Sequence, residues 1–402
     1  MNGAAWIPAA VIAVSIACLD AERPVPARLC QTPGDPLVTV RGLQTSGFDS
    51  RSLARNTEVD ASTAWFVTPT DIPVYVGGGA SICFYGGVVI GSLPPGTPYD
   101  RMHDTYGLVA HGTAFQLEGF RVFDYGDGES MDAQEDANWT VRDVYFKYIR
   151  DDCVENDFVN SGTIENSLFD GCYEGFSSRP YTTTQDGSLN LVVVRNSLFR
   201  LQDMDQGFRR PGHGGFFKWD ATAPMISLYD NVYRVDSPNI ENDVLVPPAN
   251  KLKDCAGNVM IWLGSGPFPE PLPSCYRLLT GASGLEYWNH AIAAWLANHP
   301  GALVDIGPPI VSLFSPADSA TLTGDVALTA TAVDDRAVAA VQFALNGQDI
   351  GSAVTTEAPL TKFTLAWNSR EQPNGTYTLT ATARDATGQV TTSSGITVRI
   401  VN

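Results

Sequence analysis

The sequence predicts an all-β chain: a parallel β-helix with a short α-helix, followed by an antiparallel β-sandwich. One observation is a register that recurs five times, an apolar residue, a Gly, Asp or Asn two positions on, and an aromatic or Val three further. It reads Leu117/Gly119/Val122, Val141/Asp143/Phe146, Ile164/Asn166/Phe169, Val194/Asn196/Phe199 and Leu228/Asp230/Tyr233. Its markers step by 24, 23, 30 and 34 residues, the spacing of a solenoid whose longer coils carry loops. The second observation is that the repeated segments, such as LVVVRNSLF at 191–199, alternate and are rich in Val, Ile and Phe, so they are strands. The third is that six short alternating runs separated by turn residues follow Pro308-Pro309, as in an antiparallel sandwich. Equivalent positions of successive coils then stack about 4.8 Å apart in ladders.

In chain order, residues 1–26 read as an export signal, apolar through Ala17 and without charge before Asp20. Ser15-Ile16-Ala17-Cys18 is similar to a lipoprotein cleavage box, which makes an N-terminal lipid anchor the only expected membrane contact. The β-helix is expected over 27–307, with an irregular lead-in at 27–64, first strands at 71–76 and 82–90, a Gly/Pro-rich loop at 91–107 and clear repeats at 108–236. Ser283-Gly284-Leu285-Glu286 reads as a capping box. Leu285, Trp288, Ile292 and Trp295 share one face of the helix that follows, which Pro300-Gly301 ends. Such a helix covers the open end of the solenoid or packs along its side, hiding strand edges. The sandwich occupies 309–402.

Composition narrows the function. With 44 acidic and 25 basic residues the net charge is −19, which argues against nucleic acid, since duplex binding needs a basic surface. Seven cysteines suit an exported protein. Without Cys18 six remain, which allow about fifteen connectivities; proximity favours Cys255–Cys275 and Cys153–Cys172.

Eight residues past the first three markers lies an acidic column, Asp127, Asp151 and Glu174, with Gln206 at ten in the next coil. Carboxylates stacked a coil apart repel unless compensated. Compensation comes from Ca²⁺ held by Asp127, Asp151 and Glu174, or from a proton on one raised-pKa acid. The other reading makes them turn residues fanned into water. Basic groups follow the column: Arg179, Arg209, Arg210, His213 and Lys218, with Trp219 beside them. Arg179, Arg210 and His213 are expected to bind or deprotonate substrate, and Arg209, Lys218 and Trp219 to hold it. Salt bridges between coils are the alternative use of these charges.

Two resemblances add to this. The C-terminal segment closely resembles the bacterial Ig-like modules of secreted proteins, through Ser315-Pro316-Ala317-Asp318, Ala330-Thr331-Ala332-Val333-Asp334, Val341-Gln342-Phe343, Asn374-Gly375-Thr376-Tyr377 and Ala383-Arg384-Asp385. It implies a bacterial extracellular setting and no chemistry. The repeat region resembles right-handed β-helix polysaccharide lyases and polygalacturonase-like hydrolases. Trp139-Thr140-Val141-Arg142-Asp143 through Ile149-Arg150-Asp151-Asp152-Cys153-Val154 is similar to the strand that leads into an Asp-Asp-Cys turn in the second group. The resemblance implies right-handed coils, with Asp151 and Asp152 as paired carboxylates for acid and water activation. Tyr173-Glu174-Gly175 stands where that group has Gly-His-Gly, and Gly212-His213-Gly214 comes more than a coil too late. The expectation is a secreted or cell-surface monomer that cleaves an acidic polysaccharide as a lyase or hydrolase. The alternative is a non-catalytic glycan-binding or adhesion protein.

Overall fold

The computed structural model describes residues 30, 32–68, 70–91, 97–132, 138–204, 212–299, 308–334, 338–355 and 362–402. The expected export signal and lipid anchor lie outside them. From Leu37 to Thr280 every pairing between the described strands is parallel, and the strands wind into coils with three faces. The first face contains Gln116–Glu118, Asn138–Arg142, Ser161–Glu165, Leu191–Arg195 and Met225–Tyr229. The second contains Arg121–Tyr125, the first halves of Tyr145–Glu155 and Leu168–Ser178, then Leu198–Leu201 and Val232–Val235. The third contains Tyr106–Ala110, Asp127–Met131, the second halves of those two long strands and Phe217–Trp219. A parallel β-helix is thus the architecture.

The repeated register has a simple cause. Each marker turns the first face into the second with a left-handed backbone: φ is +67° at Gly119, +56° at Asp143, +47° at Asn166, +51° at Asn196 and +55° at Asp230. Gly, Asn and Asp are the residues that adopt this conformation at least cost. Gly86 and Gly257, both at +69°, mark two further coils. The apolar residues two before the markers form one inward ladder, Phe84, Leu117, Val141, Ile164, Val194 and Leu228, all fully buried or nearly so. Those three after form another, in which Phe146, Phe169, Phe199 and Tyr233 lie 5.5, 4.6 and 5.4 Å apart ring to ring. Beside the markers, polar side chains close the corners: Ser197 N donates to Asn231 Oδ1 (3.0 Å), and Asn231 N to Asn258 Oδ1 (3.1 Å).

Two expectations change. The lead-in is not irregular: Leu37–Gln44 pairs with Glu58–Phe66, and Phe48–Leu53 with Val74–Gly78, so the coils begin there. The helix runs Gly281–Asn298 with Thr280 at its N-cap, so Ser283 lies inside the first turn and donates to Thr280 O (3.0 Å) instead of capping. That helix packs along the side, over the second face, where Trp288 and Trp295 bury against Tyr145, Leu168, Leu198, Val232 and Ile261. Its 18 residues span about 27 Å, close to the roughly 24 Å of five coil steps. Its far end reaches the coil of Asn166, whose carbonyl accepts from Trp295 Nε1 (2.8 Å).

The last described segments form the expected antiparallel sandwich. One sheet contains Ile310–Ser315, Asp325–Val333 and Lys362–Asn368; the other is built around Gly375–Asp385, Val338–Leu345 and Ile396–Ile400. Leu328, Ala330, Val341, Phe343, Phe363, Trp367, Leu379 and Val398 fill the space between them.

Because Phe169 is packed edge-on against Phe146, stacked on Phe199 and fully buried, Phe169→Ala is expected to cost the β-helix about 3–5 kcal/mol. Urea unfolding followed by tryptophan fluorescence measures it, and a loss below about 1 kcal/mol would contradict the ladder as a main source of cohesion.

Candidate functional site

The carboxylates gather on the third face. Asp127 lies in the strand Asp127–Met131, and Asp151, Asp152 and Glu155 in Tyr145–Glu155. Glu174 lies one coil on, and Asp157 follows the turn after Glu155. The column differs from the expected one by a residue. Glu129 pairs with Val154 and Asp152 with Glu174, with an irregularity between Ile149 and Asp152. The extra residue in that coil moves Asp152, in place of Asp151, into line with Glu174. Asp152 N also donates to Asp127 Oδ1 (2.8 Å). The acids are not fanned into water as turn residues would be: Asp127, Asp151, Asp152 and Glu174 are 1–4% exposed.

Lys218 supplies the charge that the column needs. Along the outward ladder Ser130, Glu155, Ser177 and Lys218 are successive neighbours. From there the Lys218 ammonium passes the small Ser177 position and donates to Asp152 Oδ2 (2.9 Å). Asp152, Asp151 and Glu174 together hold its pKa above the usual lysine value. A second set of bonds fixes the rim. Asn242 Nδ2 donates to Glu174 Oε1 (2.8 Å) and to Asp243 Oδ2 (2.6 Å). Asp243 Oδ1 accepts from Arg179 Nη2 (2.7 Å), and Asn242 Oδ1 from the Tyr173 hydroxyl (3.3 Å). Ser130 Oγ donates to Glu155 Oε1 (2.7 Å), and Ser177 Oγ to Asp157 Oδ1 (2.8 Å). Tyr99, in a short helix Tyr99–Met102, hydrogen-bonds Asp151.

Burial raises the acids' affinity for protons, and their mutual repulsion adds to it. Asp151 is pushed up to about 8 by burial and then by the Asp152 charge, against the pull of Lys218 and Tyr99. Asp157 rises to about 6 for the same two leading reasons. Burial also lifts Asp127, Glu155 and Glu174 well above the usual range, helped by Glu155 at Asp127, by Asp157 at Glu155 and by Asp152 at Glu174. Glu129, paired with the core residues Leu108 and Val154, is fully buried with neither side-chain oxygen hydrogen-bonded, and burial raises it too.

Asp127, Asp152 and Glu155 each offer one oxygen within 4.8 Å of the others, a donor type and spacing that a hard cation such as Ca²⁺ accepts. Of the expected calcium trio only Asp127 belongs to this group; Asp151 and Glu174 do not. Glu155, Asp157, Tyr99, Asn242 and Asp243 join the site without having been expected. Counting register through the bulged coil would have exposed Glu155, and the aromatic content of the 91–107 loop pointed to Tyr99.

The basic cluster divides. Lys218 belongs with the acids as a counter-ion and not as a substrate clamp. Arg179 lies at the rim, tied to Asp243 and 3.9 Å from Asp220. His213 is fully buried, with Nδ1 2.6 Å from Gly214 O and Nε2 3.1 Å from Ser237 O, so its ring braces two backbone segments instead of facing the carboxylates. Trp219 is a core residue: its ring packs 4.8 Å from Phe176 and Nε1 donates to Pro224 O (2.9 Å). The inward alternation of Phe217–Trp219 takes it away from any sugar. Arg209, Arg210 and Gln206 lie outside the described residues. Disulfides join Cys153 to Cys172 and Cys255 to Cys275, and a third joins Cys30 to Cys83. The first fastens the coil of Asp152 to the coil of Glu174.

Residues 309–381 match the family described as a bacterial Ig domain. No curated protein matches the chain. Two solved structures are similar to parts of it. The fibronectin(III)-like modules of CbhA from Clostridium thermocellum are 28% identical over 24% of this chain and 46% of that one, with a TM-score of 0.19. An endo-β-1,4-mannanase from Thermotoga petrophila is 12% identical over 44% of this chain and 39% of that one, with a TM-score of 0.22. The chain thus spans less than half the length of either. A bacterial Ig domain and three disulfides are features of extracellular proteins, and no helix among the described residues is long and apolar enough to cross a membrane. The class so defined is a disulfide-stapled β-helix protein that carries a bacterial Ig domain.

Each raised acid holds its proton more tightly folded than unfolded. The stabilisation it gives is complete below the ordinary value of 3.8 and is lost as pH rises through about 6 for Asp157 and about 8 for Asp151. The unfolding temperature is therefore expected to fall between about pH 5 and about pH 9, and Asp151→Asn to fall less steeply above neutrality. Scanning fluorimetry across that range checks this, and an equal slope in the variant would contradict it.

Proposed function

We propose that the protein is an extracellular carbohydrate-active enzyme that hydrolyses a polysaccharide at the third face, with Asp151 and Asp152 as the working pair. The observation that carries this reading is adjacent carboxyls held differently. Asp152 is bound to the Lys218 ammonium (2.9 Å), while burial and the neighbouring Asp152 charge favour a proton on Asp151 against the pull of Lys218 and the Tyr99 hydroxyl. One carboxyl paired with a cation and one inclined to hold a proton are what glycosidic hydrolysis requires.

In this mechanism Asp151 gives its proton to the departing glycosidic oxygen. The Asp152 carboxylate, oriented by Lys218, draws a proton from the attacking water or stabilises positive charge at the sugar carbon. Glu174, fixed by Asn242, receives sugar hydroxyls. Hydrolysis is favoured over β-elimination because Arg179, at the rim beside Asp157, is committed to Asp243 (2.7 Å) and is poorly placed as a base. A hard cation at Asp127, Asp152 and Glu155 would add positive charge beside Lys218, and no step runs through it.

A second reading is favoured by one observation, the 1–4% exposure of Asp127, Asp151, Asp152 and Glu174. Here the acids and Lys218 are internal bracing of a rigid, non-catalytic body that displays loops for glycan or cell adhesion. Reducing-end release from a panel of polysaccharides separates the two. Hydrolysis predicts release by the wild type and a loss of about 10²–10⁴-fold in Asp151→Asn and Asp152→Asn, with folding retained. No release from any polymer, or wild-type rates in both variants, would leave the adhesion reading.

A further inference from the structure

The charge of the sugar can be read from how the site's cations are used. Around Asp151 stand the carboxyls of Asp127, Asp152, Glu155, Asp157 and Glu174. Among the described residues, Lys218 and Arg179 are bonded into this network and both have partners: Lys218 on Asp152 at 2.9 Å, and Arg179 on Asp243 at 2.7 Å with Asp220 on its other side at 3.9 Å; Arg150, next to Asp151 in sequence, is paired with Asp124. A uronate carboxylate arriving here would have to break one of these pairs or sit unpaired among acids in a poorly solvated place, where like charges repel most. An uncharged sugar meets no such barrier. Its hydroxyls donate to carboxylate oxygens and accept from carboxylic acids, and two buried acceptors, Asp152 Oδ1 and Glu174 Oε2, are without a hydrogen-bond partner. Tyr99 adds an aromatic body: it is half-buried, its ring is stacked on His103 (4.8 Å), and its hydroxyl lies on Asp151. Aromatic rings of this kind contact the apolar face of a pyranose.

We infer that the sugar seated at Asp151 and Tyr99 is a neutral hexose or pentose unit and not a uronic acid. The inference rests on the hydrolytic reading of the third face, and it departs from the acidic glycan suggested by the arginine-rich stretch of the sequence.

Affinity electrophoresis of full-length Asp151→Asn protein through gels containing mannan, xylan, mixed-linkage glucan, polygalacturonate or alginate tests it. The expected result is retardation by at least one neutral polymer that persists at high salt, with at least about tenfold weaker retardation by both uronic polymers. Tyr99→Ala, added to that variant and unchanged in unfolding temperature, is expected to weaken neutral retention about tenfold. Stronger, salt-sensitive retardation by a uronic polymer overturns the inference. So does retardation by no polymer, or unchanged retention in Tyr99→Ala. The wild-type cleavage panel judges the hydrolytic reading separately. Neutral polymer bound and never cut would sink hydrolysis while the sugar class stood, whereas polygalacturonate cut in preference would sink the sugar class while hydrolysis stood.

Discussion

A left-handed residue at the same corner of seven successive coils lets the first face turn sharply into the second without breaking the parallel ladders on either side. With that corner fixed, the residue two before and the residue three after it point inward in each coil, and two continuous apolar ladders result. The energetics are those of stacking identical positions: each coil buries its apolar side chains on the coil before and offers them to the next. The same repetition stacks polar residues. Asn231 and Asn258 use it to satisfy corner amides, and on the third face it brings acids from three coils together. Cohesion and charge crowding are therefore two results of one geometry.

Crowding of that kind needs an internal answer, and the chain answers it with a cation from farther along. Lys218 is long enough to reach Asp152 because small side chains intervene on the outward ladder. What the ammonium leaves uncompensated raises the acids' affinity for protons, at Asp151 through burial and then the Asp152 charge. The disulfide between Cys153 and Cys172 sits beside Asp152 and two residues before Glu174, so the coils that carry the acids cannot slide past one another. Stability and the proposed chemistry draw on the same few contacts.

Much of the fold was legible because periodicity survives unequal loops. The five markers, the helix with its Trp288 and Trp295 stripe, and the alternating runs of the sandwich all rest on patterns that local sequence carries. The site was less legible because it depends on register, and one bulge between Ile149 and Asp152 moves a whole column by one residue. Side-chain direction was the other weakness. Lys218 and Trp219 are neighbours in sequence, yet strand alternation turns one to the acids and the other into the core. His213 looked like a proton carrier from its place in the basic cluster, but its ring lies between the carbonyls of Gly214 and of Ser237, the latter 24 residues on.

The direction taken by the long helix has a consequence for how the C-terminal module is carried. After the last coil the chain doubles back, and His299, just past the helix, lies 3.3 Å from Asp143 near the middle of the solenoid. Lys147 of the same coil donates to the carbonyl of Asp334 within the Ig domain (2.9 Å). The two parts are therefore joined side to side, with the module mounted like a bracket on a post and not like the next bead on a string. A module so mounted adds breadth without lengthening the body.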